Sequence, residues 1–460
     1  MEPLYLQSQQ LKSEQAVRNE VIRADHTLTP SIRLKWTKDP YYSESVLTLN
    51  PPFAVKNVRS KEYRNECLKL HGLTVPNKKA TLLRQYVVVV FQTRVLILYR
   101  SDTRRVWLAE TKPRTRESYK RVPRQETSRE VRRVKETAIR GLYALGLDYG
   151  VIIVGILPGN VVAVLNVNPS PRLNREMESV FTSAILQYIH SLPRFVSEMD
   201  QVMMGADPEF LLQHTKGELV MASKYFPRFG QVGCDAIWHG SNRNRKPLVE
   251  LRPRPSTNPH KLVMRMYQGM VYASKKIDDS KVKWLSGALP HPSYPLGGHI
   301  HFSGIPLNFK LLRALDNYLA LSLVLVEDLK GVKRRPKYGF LGDFRNQFHG
   351  GFEYRTLPSW LISPTLTKGV LALAKVVAAY YPYLPDDPLA QLRFQKAYYQ
   401  GNKNALKEKV QSLWENLVVL NSYKKYQIHL DALYSLLFTG TTWDESQDFR
   451  IYWKVPPYHR

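Results

Sequence analysis

Cysteine is nearly absent. Cys67 and Cys234 are the only two in 460 residues, which excludes a disulfide-stapled scaffold and a cysteine-rich zinc module and makes a reducing compartment the expected setting. Also missing is any run of 18 uninterrupted apolar residues, so no membrane span is expected. Met1 to Arg23 carries charges throughout and has no apolar core, which excludes a signal peptide and leaves a cytoplasmic protein as the expectation. Internal repeats and low-complexity tracts are lacking too. Acids are scarce beside bases: 39 Asp+Glu face 67 Lys+Arg, a net charge of +28. That excess predicts an anionic partner, whether nucleic acid, phospholipid, nucleotide phosphates or an acidic polymer. No helix-turn-helix, zinc-finger or RNP-like motif is present, which argues against nucleic acid. Apolar residues are plentiful, with 43% hydrophobic and 11% aromatic, enough for sizeable cores in two to four domains of about 150 residues.

Three segments are expected. Residues 1–195 read as mixed α/β. Val87 to Val90 and Val95 to Leu98 form two buried strands around a Gln92-Thr93-Arg94 turn, and Val106 to Ala109 is a further strand. A helix is predicted from an N-cap at Ser128 to Leu145, followed by strands at 150–156 and 161–168 and a helix from Glu176 to His190. Pro193 to Gln201 reads as a linker. Residues 203–363 alternate short strands, Pro/Gly turns and two helices, at 258–276 and 307–330. Residues 364–460 show helical periodicity at 366–380, 388–399 and 404–420, then a polar tail.

Four strand-like stretches in the middle segment share a polar face of acids, imidazoles and arginines. Residues i and i+2 of a strand face the same side. Asp207 and Glu209 therefore project together, as do Glu250 and Arg252, His299 and His301, and Glu353 and Arg355, with apolar residues opposite. Each stretch alone is the ordinary solvent-facing pattern. Four of them, flanked by Gly-Gly or Pro that let a ligand approach closely, point to one sheet surface bearing three glutamates, two histidines and two arginines. Carboxylates are hard oxygen ligands for Mg²⁺, and arginines supply forked donors for phosphoryl oxygens. Together they form what phosphoryl transfer from ATP requires. A loop rich in Arg334, Arg335, Lys337, Arg345 and His349 precedes Glu353, and its interleaved aromatics and glycines fit closure on an anionic ligand. Two other classes remain open here: a Zn²⁺ or Fe²⁺ enzyme built on His299-x-His301 with a glutamate, and a non-catalytic basic binder of anionic polymers.

Gly205-Ala-Asp-Pro-Glu-Phe, Val249-Glu-Leu-Arg-Pro, Gly297-Gly-His-Ile-His-Phe and Phe352-Glu-Tyr-Arg-Thr-Leu-Pro-Ser-Trp, in that order, resemble the phage-type COOH-NH2 ligases over about 203–363. These amidoligases are related to glutamine synthetase and glutamate–cysteine ligase. The resemblance implies a curved antiparallel sheet with helices on its convex side. It also implies ATP- and Mg²⁺-dependent joining of a carboxylate substrate to an amine through an acyl phosphate. Glu209, Glu250 and Glu353 match its metal-binding glutamates, and one of His299 and His301 matches its histidine near the second metal. Arg355 and Arg345 match arginines that face phosphate. Arg252, Arg334, Arg335 and Lys337 are further candidates to hold the nucleotide phosphates. His349 and Asp207 are candidates for the base that deprotonates the amine.

The first segment has its own resemblance. Leu49-Asn-Pro-Pro-Phe-Ala-Val-Lys, Leu68-Lys-Leu-His-Gly-Leu-Thr-Val-Pro and the later Val164-Leu-Asn-Val-Asn-Pro-Ser-Pro resemble the ATP-grasp proteins associated with bacillar spore coats, over about 46–175. A spore-associated setting is implied. The family's final strand offers Glu-x-Asn to Mg²⁺, whereas Asn166 and Asn168 stand here, and a neutral amide is a poorer ligand. Lys112, after Glu110, is the candidate lysine for ATP phosphates. The expectation is α+β: a degenerate ATP-grasp-like α/β domain, a glutamine synthetase-like curved antiparallel sheet with helices on one face, and a helical C-terminal extension. The basic run at 111–140 is a candidate dock for an acidic polymer.

Overall fold

The computed structural model describes residues 4–7, 31–36, 45–77, 80–102, 118–192 and 201–458. Two compact units divide the chain, Met1–Arg194 and Phe195–Arg460. Both are mixed α and β, and among the described residues no helix is long and apolar enough to cross a membrane.

In the first unit, β1 (Leu4–Gln7), β2 (Ile32–Trp36) and β3 (Ser45–Leu49) form a small sheet. A larger antiparallel sheet holds β4 (Arg84–Phe91), β5 (Arg94–Ser101), β6 (Tyr119–Arg121), β7 (Tyr149–Leu157) and β8 (Val161–Asn168) in the order β6-β5-β4-β7-β8. The valine and isoleucine runs lie at its buried centre, as β-branched residues fit a pleated surface. The Arg129–Ala144 helix is capped by Ser128 and buries Val131, Val134, Ala138 and Leu142, a helical spacing, against the sheet. The Arg175–Ser191 helix is capped by Asn174. Asn50 stitches the unit together: its side-chain oxygen accepts from the Asp148 and Tyr149 amides at 2.6 and 3.2 Å, while its amide nitrogen donates to the Tyr149 carbonyl. Asn166 and Asn168 are exposed on β8, and Asn168 Oδ1 accepts from the Ser170 amide, an Asx turn. The expected strand at 106–109, Glu110, Lys112, the linker at 193–200 and the start of the basic run lie outside the described residues.

The second unit is built on one sheet. Its strands are β9 (Met203–His214), β10 (Leu219–Val220), β11 (Val232–Cys234), β12 (Leu248–Leu251), β13 (Val282–Leu285), β14 (Gly298–Ser303), β15 (Phe344–Asn346) and β16 (Phe352–Tyr354). The order is β11-β12-β9-β14-β16-β15, with β10 and β13 also pairing to β9. Phe210, Val249, Leu251, Ile300, Phe302 and Tyr354 face the back and are buried. The Pro259–Lys276 helix covers β9, β11 and β12 there. Tyr354 donates to Asp316 at 2.7 Å. Asp316 opens a π turn, Asp316–Ala320, inside what the sequence presents as one helix; the π turn lies between α-helical Phe309–Leu315 and Leu321–Val324. On the front, Leu211, Leu248, Leu285, Tyr294 and Leu296 form an apolar cluster that closes one end of the polar face.

The expected polar tail is structured. Asn421–Phe438 is a helix packed on the Pro364–Tyr380 helix, burying Tyr423, Leu430, Leu433 and Leu437. Beyond it, Glu445 accepts from the amide of Leu289 at 2.8 Å and also from that of Ala288. Arg450 is buried against Asp448, donates to the Val282 carbonyl at 2.6 Å, and lies 4.8 Å over the Trp284 ring, which stacks on Phe210. The polar residues of the tail are thus partners of β13 and the loop that follows it. Removing one member of a buried ion pair leaves an uncompensated charge. Asp448→Ala is expected to destabilise the second unit by about 3–5 kcal/mol, measured by urea denaturation. A loss under 1 kcal/mol would mean that the tail is peripheral.

Candidate functional site

The four stretches singled out by their polar faces are four adjacent strands, β12-β9-β14-β16. Register makes the site. Glu209 lies opposite Glu250, Asp207 opposite His299, and His301 opposite Glu353. Directly opposed residues of an antiparallel pair share a face, so all six project to the front. The apolar alternates Phe210, Ile300 and Tyr354 anchor the same strands behind.

Two clusters result. In the first, His299 Nδ1 is 3.3 Å from Asp207 and 3.2 Å from Glu353, and His301 Nε2 is 3.2 Å from Asp207. Arg355 Nε lies 3.1 Å from Glu353, Arg345 reaches it at 3.4 Å, and Gln347 Nε2 donates to it at 2.9 Å. In the second, the Gly297 amide donates to Glu209 at 2.8 Å, and Arg252 grips both oxygens of Glu250.

Some expected roles change. Arg252 also donates to the carbonyls of Arg228 and Cys234, so it fixes Glu250 rather than awaiting phosphate. Arg334 is buried and donates to the carbonyls of Thr356 and Leu357 at 3.0 and 2.9 Å. Arg335 is buried against Glu327, with its guanidinium 4.4 Å from the Tyr398 ring. Both guanidiniums are therefore engaged by internal carbonyls and by Glu327. Lys337 is exposed beside Tyr338. His349 is exposed at the β15–β16 turn, edge-on to Phe348. Arg345 and Arg355 do flank the acids.

Asp207, first regarded as a candidate base, is central to the acid cluster. Asp207, His301 and Glu353 each offer an atom within 4.8 Å of the others'. Asp207 Oδ1, His301 Nε2 and Glu353 Oε1 are buried and have only the ion-pair contacts given above, without a well-aligned hydrogen bond. Buried polar atoms are normally paired, and two carboxylates with an imidazole are a donor set for a divalent cation. The residues present fit a metal. Gln347 is the member that sequence reasoning missed, because an amide in a turn carries no signal of its carboxylate partner.

Electrostatics set the protonation. Burial raises Asp207, but the charges of His299 and His301 outweigh it and hold the carboxyl below its usual range. Burial would lower His299; Asp207, with Glu209 and Glu353, raises it to about 9. Glu209 is pushed up to about 7 by burial, against the pull of His299. Burial, aided by the Asp207 charge and opposed by Arg252, pushes Glu250 up to about 8. For these last three groups the folded chain holds protons that the unfolded chain releases from about pH 4.3 (Glu) and 6.5 (His). Their contribution to stability is complete below those values and is lost as pH rises through 7, 8 and 9. Asp207 acts oppositely, but only below about pH 4. Metal-free protein is therefore expected to lose thermal stability steadily from pH 5 to 9 in EDTA, and Glu209→Gln to flatten the slope between 5 and 7. A midpoint that climbs across that window would contradict this charge assignment.

Comparison with known proteins follows the same residues. Among solved structures, the chain is similar to a bifunctional glutathione synthetase from Pasteurella multocida at 12% identity and a TM-score of 0.34, covering 54% of this chain and 49% of that one. It is also similar to the macrocyclase MdnB from Microcystis aeruginosa MRC at 15% identity and a TM-score of 0.21, covering 31% of this chain and 59% of that one. The chain thus spans about half of the first and under two thirds of the second, and superpositions this loose carry no argument about fold or chemistry. No curated protein matches. The family of phage phiEco32-like COOH.NH2 ligases, type 2, matches residues 204–455, which takes in the four site strands, the helices behind them and the C-terminal helices. On that match the chain belongs to the phage phiEco32-like COOH.NH2 ligase-type 2 family.

Proposed function

We propose that this protein is an ATP-dependent carboxylate–amine ligase that works through an acyl phosphate on the front of β9, β12, β14 and β16. The observation that carries this reading is the convergence of Asp207, Glu209, Glu250, His299, His301 and Glu353 on one sheet face, with Arg345 and Arg355 at its border. The sheet is read as the curved sheet of glutamine synthetase-like amidoligases, and the first unit as a degenerate ATP-grasp-like domain.

In the reaction, a substrate carboxylate oxygen attacks the γ-phosphorus of ATP and ADP leaves; the amine nitrogen then attacks the acyl carbon, phosphate leaves, and the amine loses a proton. Bound Mg²⁺ would offset the charge of the phosphates and of the acids that hold it. Asp207, Glu353 and His301 would hold one ion, and Glu209 and Glu250 another. Gly297 and Arg252 fix the orientation of the last two. Arg345 is half exposed, so its guanidinium is free to meet phosphoryl oxygens; Arg355 lies deeper and holds Glu353 in place. In the metal-free face the charges of Asp207, Glu209 and Glu353 keep His299 protonated at neutral pH, so there it is a donor and not a base. Asp207 holds protons too weakly to serve as the base first considered for it.

The test is amine-dependent ADP release from ATP over a panel of carboxylates and amines. Glu250→Ala is expected to abolish turnover. Gln347→Ala, which removes only the support of a metal-binding carboxylate, is expected to reduce it by about 10–100-fold. Absence of turnover with every substrate pair, together with no ATP binding, would sink the reading. The mixed Asp207–His301–Glu353 donor set favours one second reading, a Zn²⁺ or Fe²⁺ centre. Zinc or iron retained near one per chain through purification in EDTA, with no Mg²⁺-dependent turnover, would establish it instead.

A further inference from the structure

A second cavity lies behind the strand that carries Glu250. Leu251 projects to the opposite face from Glu250 and Arg252. Between it and the Pro259–Lys276 helix is a cleft of about 210 Å³ lined by Pro253, Arg254, Arg265, Gln231 and Gln268, with the buried Leu251 and Met266 beneath. At about 30 Å³ per water it has room for roughly seven waters, the scale of a small organic molecule. None of the six front-face acids and histidines lines it.

The chemistry of the lining is one-signed. It contains two guanidiniums and two amides and no acid. Arg265 is held in advance: its Nη1 donates to the carbonyls of Arg254 and Pro255 at 2.6 and 2.9 Å, which fixes the plane of the fork and leaves its other nitrogens available. A forked, preorganised guanidinium matches a carboxylate in two-point contact. The apolar ring of Pro253 matches a short methylene body. Gly269 lines the cleft without a side chain; a Cβ there would stand 3.5 Å from Leu251 and from Val232, and a longer side chain would fill the space.

We propose that this cleft is a binding site for a small organic dicarboxylate, separate from the metal-binding face and independent of the ligase reading. Arg265 takes one carboxylate and Arg254 the other, while Pro253 contacts the chain between them. The site lies one residue from Glu250 along β12, and the Gln231 carbonyl accepts from the Arg252 amide at 2.7 Å, so the ligand touches the strand that positions the front-face acid.

The test is calorimetric titration of the full chain with glutarate, without ATP or metal. One glutarate per chain is expected, with affinity that weakens as salt rises. Uncharged glutaramide should not bind, and inorganic phosphate, which lacks the methylene body, should bind at least tenfold more weakly. Arg265→Met and Gly269→Leu should each reduce affinity by about tenfold or more, with circular dichroism confirming that both fold. No saturable binding, binding that survives both cleft variants, or phosphate as tight as glutarate would each overturn the proposal. Failure of the ligase reading would show in ADP release and leave this titration unchanged.

Discussion

Strand register is the constraint on which everything else depends. The side-chain period of a strand is two, so a slip of one residue between β9 and β14 would send His299 and His301 into the helix layer and leave Asp207 facing Ile300. The structure fixes that register around one close approach. Gly298 lies where a Cβ would meet the Pro358 carbonyl and stand 2.6 Å from the Trp360 indole. Trp360 Nε1 donates to the Gly298 carbonyl at 2.8 Å, Glu209 and Gly297 bond to each other through the Glu209 amide, and Ser359 Oγ donates to the Glu209 carbonyl. Only glycine permits this packing, so the Gly-Gly before the histidines serves the register directly and the ligand only through it.

Rigidity behind the face follows from the same need. Asp207 and Glu353 offer oxygens within 4.8 Å of each other; carboxylates crowded in this way push on their strands, and a soft sheet would yield. Here the back is tied down by polar contacts as well as by packing: Tyr354 to Asp316, Thr356 to the Phe340 carbonyl, Arg334 to the carbonyls just after Arg355. The π turn at Asp316 gives up regular helical hydrogen bonding in order to aim one carboxylate at β16. The C-terminal segment adds Arg450 and Phe449 beneath Trp284 and Phe210.

Much of this was legible in the sequence because it is local. The alternation in Gly297-Gly-His-Ile-His-Phe and its three counterparts gives the face of each side chain without knowledge of the fold, and their shared composition gave the reason to pair them. The cap at Ser128 was legible for the same reason. What failed depends on partners far along the chain. Arg334 and Arg335 sit in a basic, glycine-rich run that reads as a ligand loop, yet their partners are carbonyls at 356, 357 and 398 and the carboxylate of Glu327. Glu445, Asp448 and Arg450 look like a solvated tail because each buried polar group is satisfied by a neighbour or by β13 and the turn after it. The face of Asp207 follows from strand alternation, whereas its proton affinity depends on two histidines from another strand.

The charge balance takes on a different meaning once the site is located. A chain with a net charge of +28 gathers buried carboxylates on one face, two of them raised towards neutrality mainly by burial. Its long-range field, felt over about a Debye length of 8–10 Å, repels free cations and draws in polyanions. On the ligase reading these two facts fit together. A divalent ion that arrives already bound to nucleotide phosphates carries net negative charge, so the outer field favours its approach. Within a few ångströms the local acids dominate, and Asp207, Glu353 and His301 would be placed to hold such an ion. The scarcity of acid noted at the outset is therefore an attribute of the surface, and the acids that matter are held where the surface field no longer decides.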